Sequence, residues 1–338
     1  MSLKLGILDQ AHISQGRDAS QTLQETALLA QEGERLGYNR FWVTEHHSMK
    51  ALASSSPEVL IAHVAAKTET IKVGSGGVML SHYSAYKVAE NFRLLEALYP
   101  GRIDLGLGRA PGGMPLSTRA LQEGKRMDID NYPTQVEDLT AYLHDALPRE
   151  HRFAGLLASP SVETAPELWL LGSSYGSAQI AAEQGTAYAY AQFFGVPGSE
   201  ASLRIYRDSF KPSILNKEPK TLAAVLVICA DTDEEADKLA TGADLFFLSL
   251  EQGKLLSAFP SLEASTNYPY TDYDRERIRS TRENRIVGSP ETVKTKLLAM
   301  SERLGVDEFL IVTMTHDFEA RLRSYRLVAE AFGLAAKA

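Results

Sequence analysis

Four short clusters carry the residues with chemistry to offer. The first is Thr44-Glu45-His46-His47, two imidazoles and a carboxylate that follow the apolar run from Arg40 to Thr44. Histidine changes charge near neutral pH, so one placed at a strand end suits general acid–base work. A loop histidine that only hydrogen-bonds backbone would look the same in sequence. Successive residues of an extended chain point to opposite faces, so Glu45, His46 and His47 do not read as ligands of one metal ion. The second cluster, Gly74-Ser75-Gly76-Gly77, lies inside a strand pattern. Bare backbone there lets a flat ligand ring lie on the chain, and a β-bulge would account for the same glycines.

The third cluster is Gly106-Leu107-Gly108-Arg109-Ala110-Pro111-Gly112-Gly113. It misses the dinucleotide pattern G-x-G-x-x-G by one position. Pro111 and Pro115 also argue against a helix opening there, which disfavours a Rossmann NAD site. Arg109 at a strand end suits an anion, with an ordinary salt bridge as the alternative. The fourth cluster, Gly172-Ser173-Ser174-Tyr175-Gly176-Ser177, joins an apolar run to a helical one. Free N–H groups at a helix start together with serine hydroxyls make a phosphate cradle; a plain serine N-cap is the other reading.

The elements that must position these clusters alternate. Strand-like apolar runs are read at Leu3–Leu8, Arg40–Thr44, Ile71–Met79, Arg102–Leu107, Leu168–Leu171, Ala187–Ala191, Thr221–Cys229 and Asp307–Val312, each followed by a helical pattern. Continuous rather than alternating apolar runs fit parallel strands covered by helices. Eight strand–helix units predict a closed (β/α)8 TIM barrel with insertions, a single domain over residues 1–338, with a doubly wound open sheet as the alternative. In such a barrel, chemistry sits at the C-terminal strand ends. Asp9, Gln10, Glu45, His46, His47, Gly76, Gly77, Gly108, Arg109, Ser173, Ser174 and Gln192 all fall there. Ser257–Arg285 is polar, rich in tyrosine and arginine and without clear periodicity.

Composition narrows the function classes. A net charge of −8 disfavours nucleic acid or an anionic membrane as partner. The single cysteine, Cys229, rules out internal disulfides and cysteine-rich metal sites, and its apolar surroundings predict an inert core position. The N-terminal stretch lacks the basic and apolar regions of a signal peptide, and no apolar run approaches a membrane span, so a cytoplasmic protein is expected.

Taken together, TEHHS (Thr44–Ser48), GSGGVML (Gly74–Leu80), the run from Tyr86 to Gly112, WLLGSSYGSAQIAAEQG (Trp169–Gly185) and the run from Ile286 to Val312 resemble the bacterial luciferase-like flavin-dependent monooxygenases. The resemblance is to the single-subunit branch and spans nearly the whole chain in order. It implies a (β/α)8 barrel that takes reduced FMN as cosubstrate and uses O2 to oxygenate a small organic substrate. It also implies a separate NAD(P)H:flavin reductase as partner and a homo-oligomer, usually a dimer. His46 would be the catalytic residue. Gly76 and Gly77 would lie beneath the flavin ring at a non-proline cis peptide. Gly108, Arg109, Ser173, Ser174 and Ser177 would complete the cofactor site, with Arg109 at the phosphate, and no metal is implied. Ser257–Arg285 matches the family's mobile lid. Some relatives use F420 for hydride transfer, and others bind flavin without catalysis; both stand as alternatives. Gly108 occupies the place of a reactive cysteine in the luciferase α subunit, which removes one reason to expect light emission.

Overall fold

The computed structural model describes residues 3–110, 112–124, 131–194 and 198–335. Among the described residues the strands are β1 (Lys4–Asp9), β2 (Arg40–Val43), β3 (Lys72–Met79), β4 (Ile103–Gly108), β5 (Glu167–Gly172), β6 (Ala187–Ala191), β7 (Thr221–Cys229), β8 (Arg285–Gly288) and β9 (Glu308–Val312). All pairings are parallel. Strands β1 to β7 pair in sequence, β7 pairs β9, and β9 returns to β1, which closes an eight-stranded barrel. The (β/α)8 expectation holds and the open-sheet alternative does not.

The ninth strand differs from the sequence reading. β8 pairs Leu226–Cys229 of β7, beyond Ala224, the last residue that β7 pairs with β6. It therefore extends one edge of β7 past the barrel rim without joining the ring. Four residues opening on an arginine give too short an apolar run to read as a strand. The segment before it is also more ordered than its polarity suggests, because helices form at Leu262–Thr266 and Asp272–Arg282. Side-chain caps start both: Ser261 accepts from the Ala264 amide, and Thr271 forms a capping box with Asp274.

Two apolar layers hold the barrel. The outer one, between strands and helices, includes Ile7, Phe41, Val73, Leu105 and Ile311. The inner one includes Leu8, Trp42, Trp169, Leu222, Ala224 and Leu310. Each fully buried leucine or phenylalanine in these layers contributes roughly 1.5–3 kcal/mol against exposure. Below the inner layer, the N-terminal strand ends are plugged by charge. Arg40 pairs with Asp104 and Glu308, each at 2.5 Å, and Lys72 bridges to Glu167 at 2.7 Å. Trp42 Nε1 donates to Asp104 at 2.8 Å, which ties this plug to the inner layer. The bottom of the barrel is thus filled, and open space is left at the C-terminal end.

Candidate active site

Strand parity decides which side chains reach that space. Along each barrel strand, alternate residues face inward. From β1 and the residues after it, Leu8 and Gln10 line a cavity of about 650 Å³; from β2 and beyond, Trp42, Thr44 and His46 do. Gly76, Gly108, Ser173, Ala189, Ala191, Phe193 and Leu310 continue the ring on the same parity. Asp9 and His47 have the opposite parity and lie outside this lining. Every predicted cofactor residue, Gly76, Gly77, Gly108, Arg109, Ser173, Ser174 and Ser177, lines this one cavity together with His46.

His46 Nε2 lies 2.9 Å from Gln10 Oε1, and the His46 backbone amide donates to the Ser54 carbonyl at 2.9 Å. Burial, followed by the neighbouring His47 imidazole, pushes the His46 pKa down to about 4. The imidazole is therefore neutral across the usual histidine range. With Nε2–H donating to Gln10, Nδ1 carries the lone pair and is the nitrogen able to take a proton. The sequence reading of a histidine poised near neutral pH is sharpened: this one can accept a hydrogen bond or a proton but carries no charge at pH 7.

Glu45, which also touches the cavity, and His47 outside it support this histidine. Glu45 is fully buried, with one carboxylate oxygen 2.6 Å from His47 Nε2 and 2.7 Å from the Tyr83 hydroxyl. Its other oxygen accepts the Met79 amide at 2.9 Å. One carboxylate thus ties the end of β2 to the end of β3. The His47 amide donates to the Gly112 carbonyl at 2.9 Å, which brings in the loop after β4.

The glycine wall is a close approach of two backbones. A Cβ on Gly77 would come within 2.7 Å of the Gly106 carbonyl oxygen. The Gly76–Gly77 peptide is cis, as the resemblance implies. The pairing of β3 with β4 also shifts register between Gly76 and Val78, so the bulge reading and the bare-wall reading are both present.

The turn after β5 likewise combines both readings. Ser174 caps the helix Tyr175–Gln184 in a capping box with Ser177. The Ser177 hydroxyl is engaged there, 2.8 Å from the Ser174 carbonyl and 3.4 Å from the Tyr188 hydroxyl. Ser177 shapes the turn, while Ser173 and Ser174 present themselves to the cavity. The first two helical amides, of Tyr175 and Gly176, have no hydrogen-bond partner among the described residues. The Arg109 guanidinium lies beside them: a Cβ on Gly176 would sit 3.6 Å from Arg109 Nη1. No carboxylate among the described residues forms a salt bridge with Arg109. A cation without a carboxylate partner among the described residues, set against a helix N-terminus, is suited to an anion.

Other sequence candidates go elsewhere. Asp9 turns away from the cavity into a buried pair with Arg321, and it also accepts from Thr26 at 2.6 Å and the Ala11 amide at 2.9 Å. Burial alone would raise its pKa, but Arg321 and these donors hold it low. Gln192 is buried outside the cavity lining. Cys229 is a fully buried core residue, its thiol pushed up to about 12 by burial. No residue of Ser257–Arg285 lines the cavity. Arg282 and Arg285 instead clamp that segment to Asp244 of the helix Asp233–Glu251. Sequence reasoning missed Phe193 and Phe194, which lie just past β6 and line the cavity. Counting two residues on from Ala189 and Ala191 would have found Phe193.

Comparison with known proteins places this architecture. The family model of luciferase-like monooxygenases matches residues 3–308. The chain belongs to the luciferase-like monooxygenase family. As a member it is an oxidoreductase of the oxygen-incorporating kind. It is 54% identical to the Bacillus subtilis protein YwcH over 330 residues, 98% of this chain and 99% of that one. It is 39% identical to the N-acetyl-S-alkylcysteine monooxygenase of the same organism over 336 residues, 99% of each chain. Among solved structures, apo-MsnO8 superposes with a TM-score of 0.90 at 38% identity, covering 99% of each chain. More distant luciferase-like barrels share the fold alone. One is the oxygenating constituent of 3,6-diketocamphane monooxygenase in complex with FMN, with a TM-score of 0.73 and 20% identity, covering 100% of this chain and 99% of that one. Another is an F420-dependent secondary alcohol dehydrogenase, with a TM-score of 0.73 and 13% identity, covering 98% and 99%. Among the described residues, no helix is long and apolar enough to cross a membrane.

Proposed function

We propose that this family member is a monooxygenase that takes reduced FMN as cosubstrate, with O2, to oxygenate a small organic molecule. The carrying observation is that one cavity wall brings together a bare glycine floor, an unpaired arginine against a helix N-terminus, and a neutral histidine. The residues fit the cofactor. The cavity, about 650 Å³, falls within the roughly 300–1,000 Å³ of ordinary small-molecule sites. Arg109, Ser173, Ser174 and the free amides of Tyr175 and Gly176 would hold the phosphate. Gly76, Gly77 and Gly108 would leave room for the ring. Bound reduced FMN supplies the electrons that activate oxygen.

The protein's own part is to bind, exclude water and place a proton. Leu8, Trp42, Leu171, Ala189 and Leu310 make much of the remaining wall apolar, beside the polar Thr44 and Glu45, which helps keep bulk water from the reacting region. His46 holds a proton on Nε2 toward Gln10 and offers Nδ1 as an acceptor. The Ser257–Arg285 segment, which lies outside the cavity lining, would supply the cover. A separate NAD(P)H:flavin reductase fits a chain in which no dinucleotide fingerprint is read.

Two measurements test this reading. FMN should bind the purified protein while F420 does not; binding of F420 alone would favour hydride transfer without oxygen. With FMNH2 supplied, His46→Ala should keep FMN affinity and lose most turnover. Equal turnover in variant and wild type would remove the assigned role. Oxygen uptake no greater than that of free FMNH2, across a substrate panel, would instead mark a flavin-binding protein without catalysis.

A further inference from the structure

Two segments at the C-terminal end of the barrel are fastened very differently. Ser257–Arg285 is pinned along its length. Phe259 is fully buried, with its ring 4.6 Å from that of His12 and 5.6 Å from that of Phe246. Its amide donates to the Ile13 carbonyl at 2.7 Å, and its carbonyl accepts from the Gln15 amide at 3.0 Å. Ser265, also fully buried, shares a hydrogen bond with the Thr241 hydroxyl at 2.9 Å. Gln252 donates to Asp274 at 2.7 Å, and Arg282 and Arg285 hold the far end on Asp244. Such a segment opens only by breaking buried contacts.

Gly112–Gly124, after β4, is held otherwise. Its helix, Pro115–Leu121, buries none of its residues. Among the described residues, two attachments hold the segment, one near each end. At the first, the Gly112 carbonyl accepts the His47 amide at 2.9 Å. At the second, the buried Gln122 side chain donates to the Ser81 carbonyl at 3.1 Å and lies 3.2 Å from His82 Nδ1. The turn that receives Gln122 is fixed independently. Gln135 donates to the Tyr83 carbonyl at 3.2 Å, and the Tyr83 hydroxyl donates to Glu45 at 2.7 Å. Gln122 is thus a plug in a socket that keeps its shape when the plug leaves. Gly112 and Gly124 bracket the segment with φ of 60° and 73°, backbone that glycine adopts without strain. Met114 is 44% exposed and borders one opening with Phe194, Leu250 and Leu255, themselves 56%, 37% and 44% exposed. Apolar groups exposed around one opening gain by meeting.

We propose that Gly112–Gly124 is a strap that opens and closes this end of the barrel, with Gln122 as its latch, and that Ser257–Arg285 is the fixed part of the cover. The resemblance implies mobility for Ser257–Arg285; the contacts reverse that assignment. Closing carries Met114 toward Leu250 and Leu255, and opening releases Gln122 from Ser81 while the socket stays on Gln135 and Glu45. That a bound flavin favours the closed strap rests on the flavin reading. The latch, and the difference in freedom between the two segments, do not.

The test is amide hydrogen exchange read by mass spectrometry on the full chain at pH 7.5, with the β7 strand as the internal control for folding. In the flavin-free protein, residues 112–124 should exchange at least about tenfold faster than residues 259–282. Gln122→Ala removes one latch, which at the net strength of a hydrogen bond should speed residues 112–124 by roughly three- to tenfold. It should leave residues 259–282 and β7 within about twofold of wild type. The reverse order of exchange, or a Gln122→Ala profile identical to wild type, would overturn the proposal. Saturating FMN should slow residues 112–124 and the turn from Ser173 to Ser177 while leaving residues 259–282 unchanged. Slowing of residues 259–282 in place of the strap would also overturn it. Slowing at the serine turn alone would remove the closing motion and leave the flavin reading intact. No slowing anywhere would sink the flavin reading, and the strap would then stand or fall on the exchange order and on Gln122→Ala.

Discussion

Titrating His46 is the sharpest test of how this site is tuned. The imidazole sits at about 4, against an ordinary 6.5, because burial removes solvent from the charged form and His47 adds a like charge beside it. Protonating this ring therefore costs on the order of 3 kcal/mol more than protonating an ordinary histidine. At pH 6 an ordinary histidine is about three-quarters protonated, whereas His46 should be about 1% protonated. The assay is long-range 1H–15N imidazole correlation on the flavin-free protein between pH 3.5 and 8, with His46 assigned by its loss in His46→Asn. The expected result is a neutral ring with its proton on Nε2 down to pH 5, matching the 2.9 Å contact to Gln10, and a midpoint near 4. It follows that no acid limb of turnover above pH 5 belongs to His46. A midpoint between 6 and 7, or an Nδ1–H tautomer throughout, would refute the reasoning.

Two further outcomes follow from buried charge. Arg40→Met should cost about 3 kcal/mol in urea unfolding, because it takes from the buried Asp104 and Glu308 the cation they share and leaves them only Trp42, Lys72 and Asn39; a loss below 1 kcal/mol would show that the plug is solvated. Burial, with the Arg321 charge adding to it, pushes His12 down to about 3. Its folded pKa lies below the ordinary 6.5, so the unfolded chain binds the proton first and stability falls as pH drops from 6.5 toward 3. The loss between pH 7 and 5 from this residue should be on the order of 2 kcal/mol, and His12→Gln should flatten that slope.

The barrel, and the meeting of the named residues in one cavity, were legible in sequence for a physical reason. Parallel strands buried on both faces write themselves as apolar runs, and their C-terminal ends all point one way. Parity could have gone further. It separates His46 from His47, and it sends Asp9 outward to Arg321 while Gln10 turns inward. Other features depend on partners remote in sequence. The depressed pKa of His46 needs the assembled wall. β8 exists because β7 outruns β6 by several residues. The Ser257–Arg285 segment reads as irregular because its helices are fastened by Asp244 and by their own caps rather than by an apolar stripe.

The central claim, that Arg109 and the serine turn hold a flavin phosphate, is tested most directly by titrating FMN and riboflavin against wild type and Arg109→Gln under reducing conditions. A charge-assisted phosphate contact contributes about 1.5–3 kcal/mol, so wild type should prefer FMN over riboflavin by roughly ten- to a hundredfold, and the variant should lose most of that preference with little change toward riboflavin. Equal affinity of wild type for the two flavins, or a variant that weakens both alike, would contradict the account.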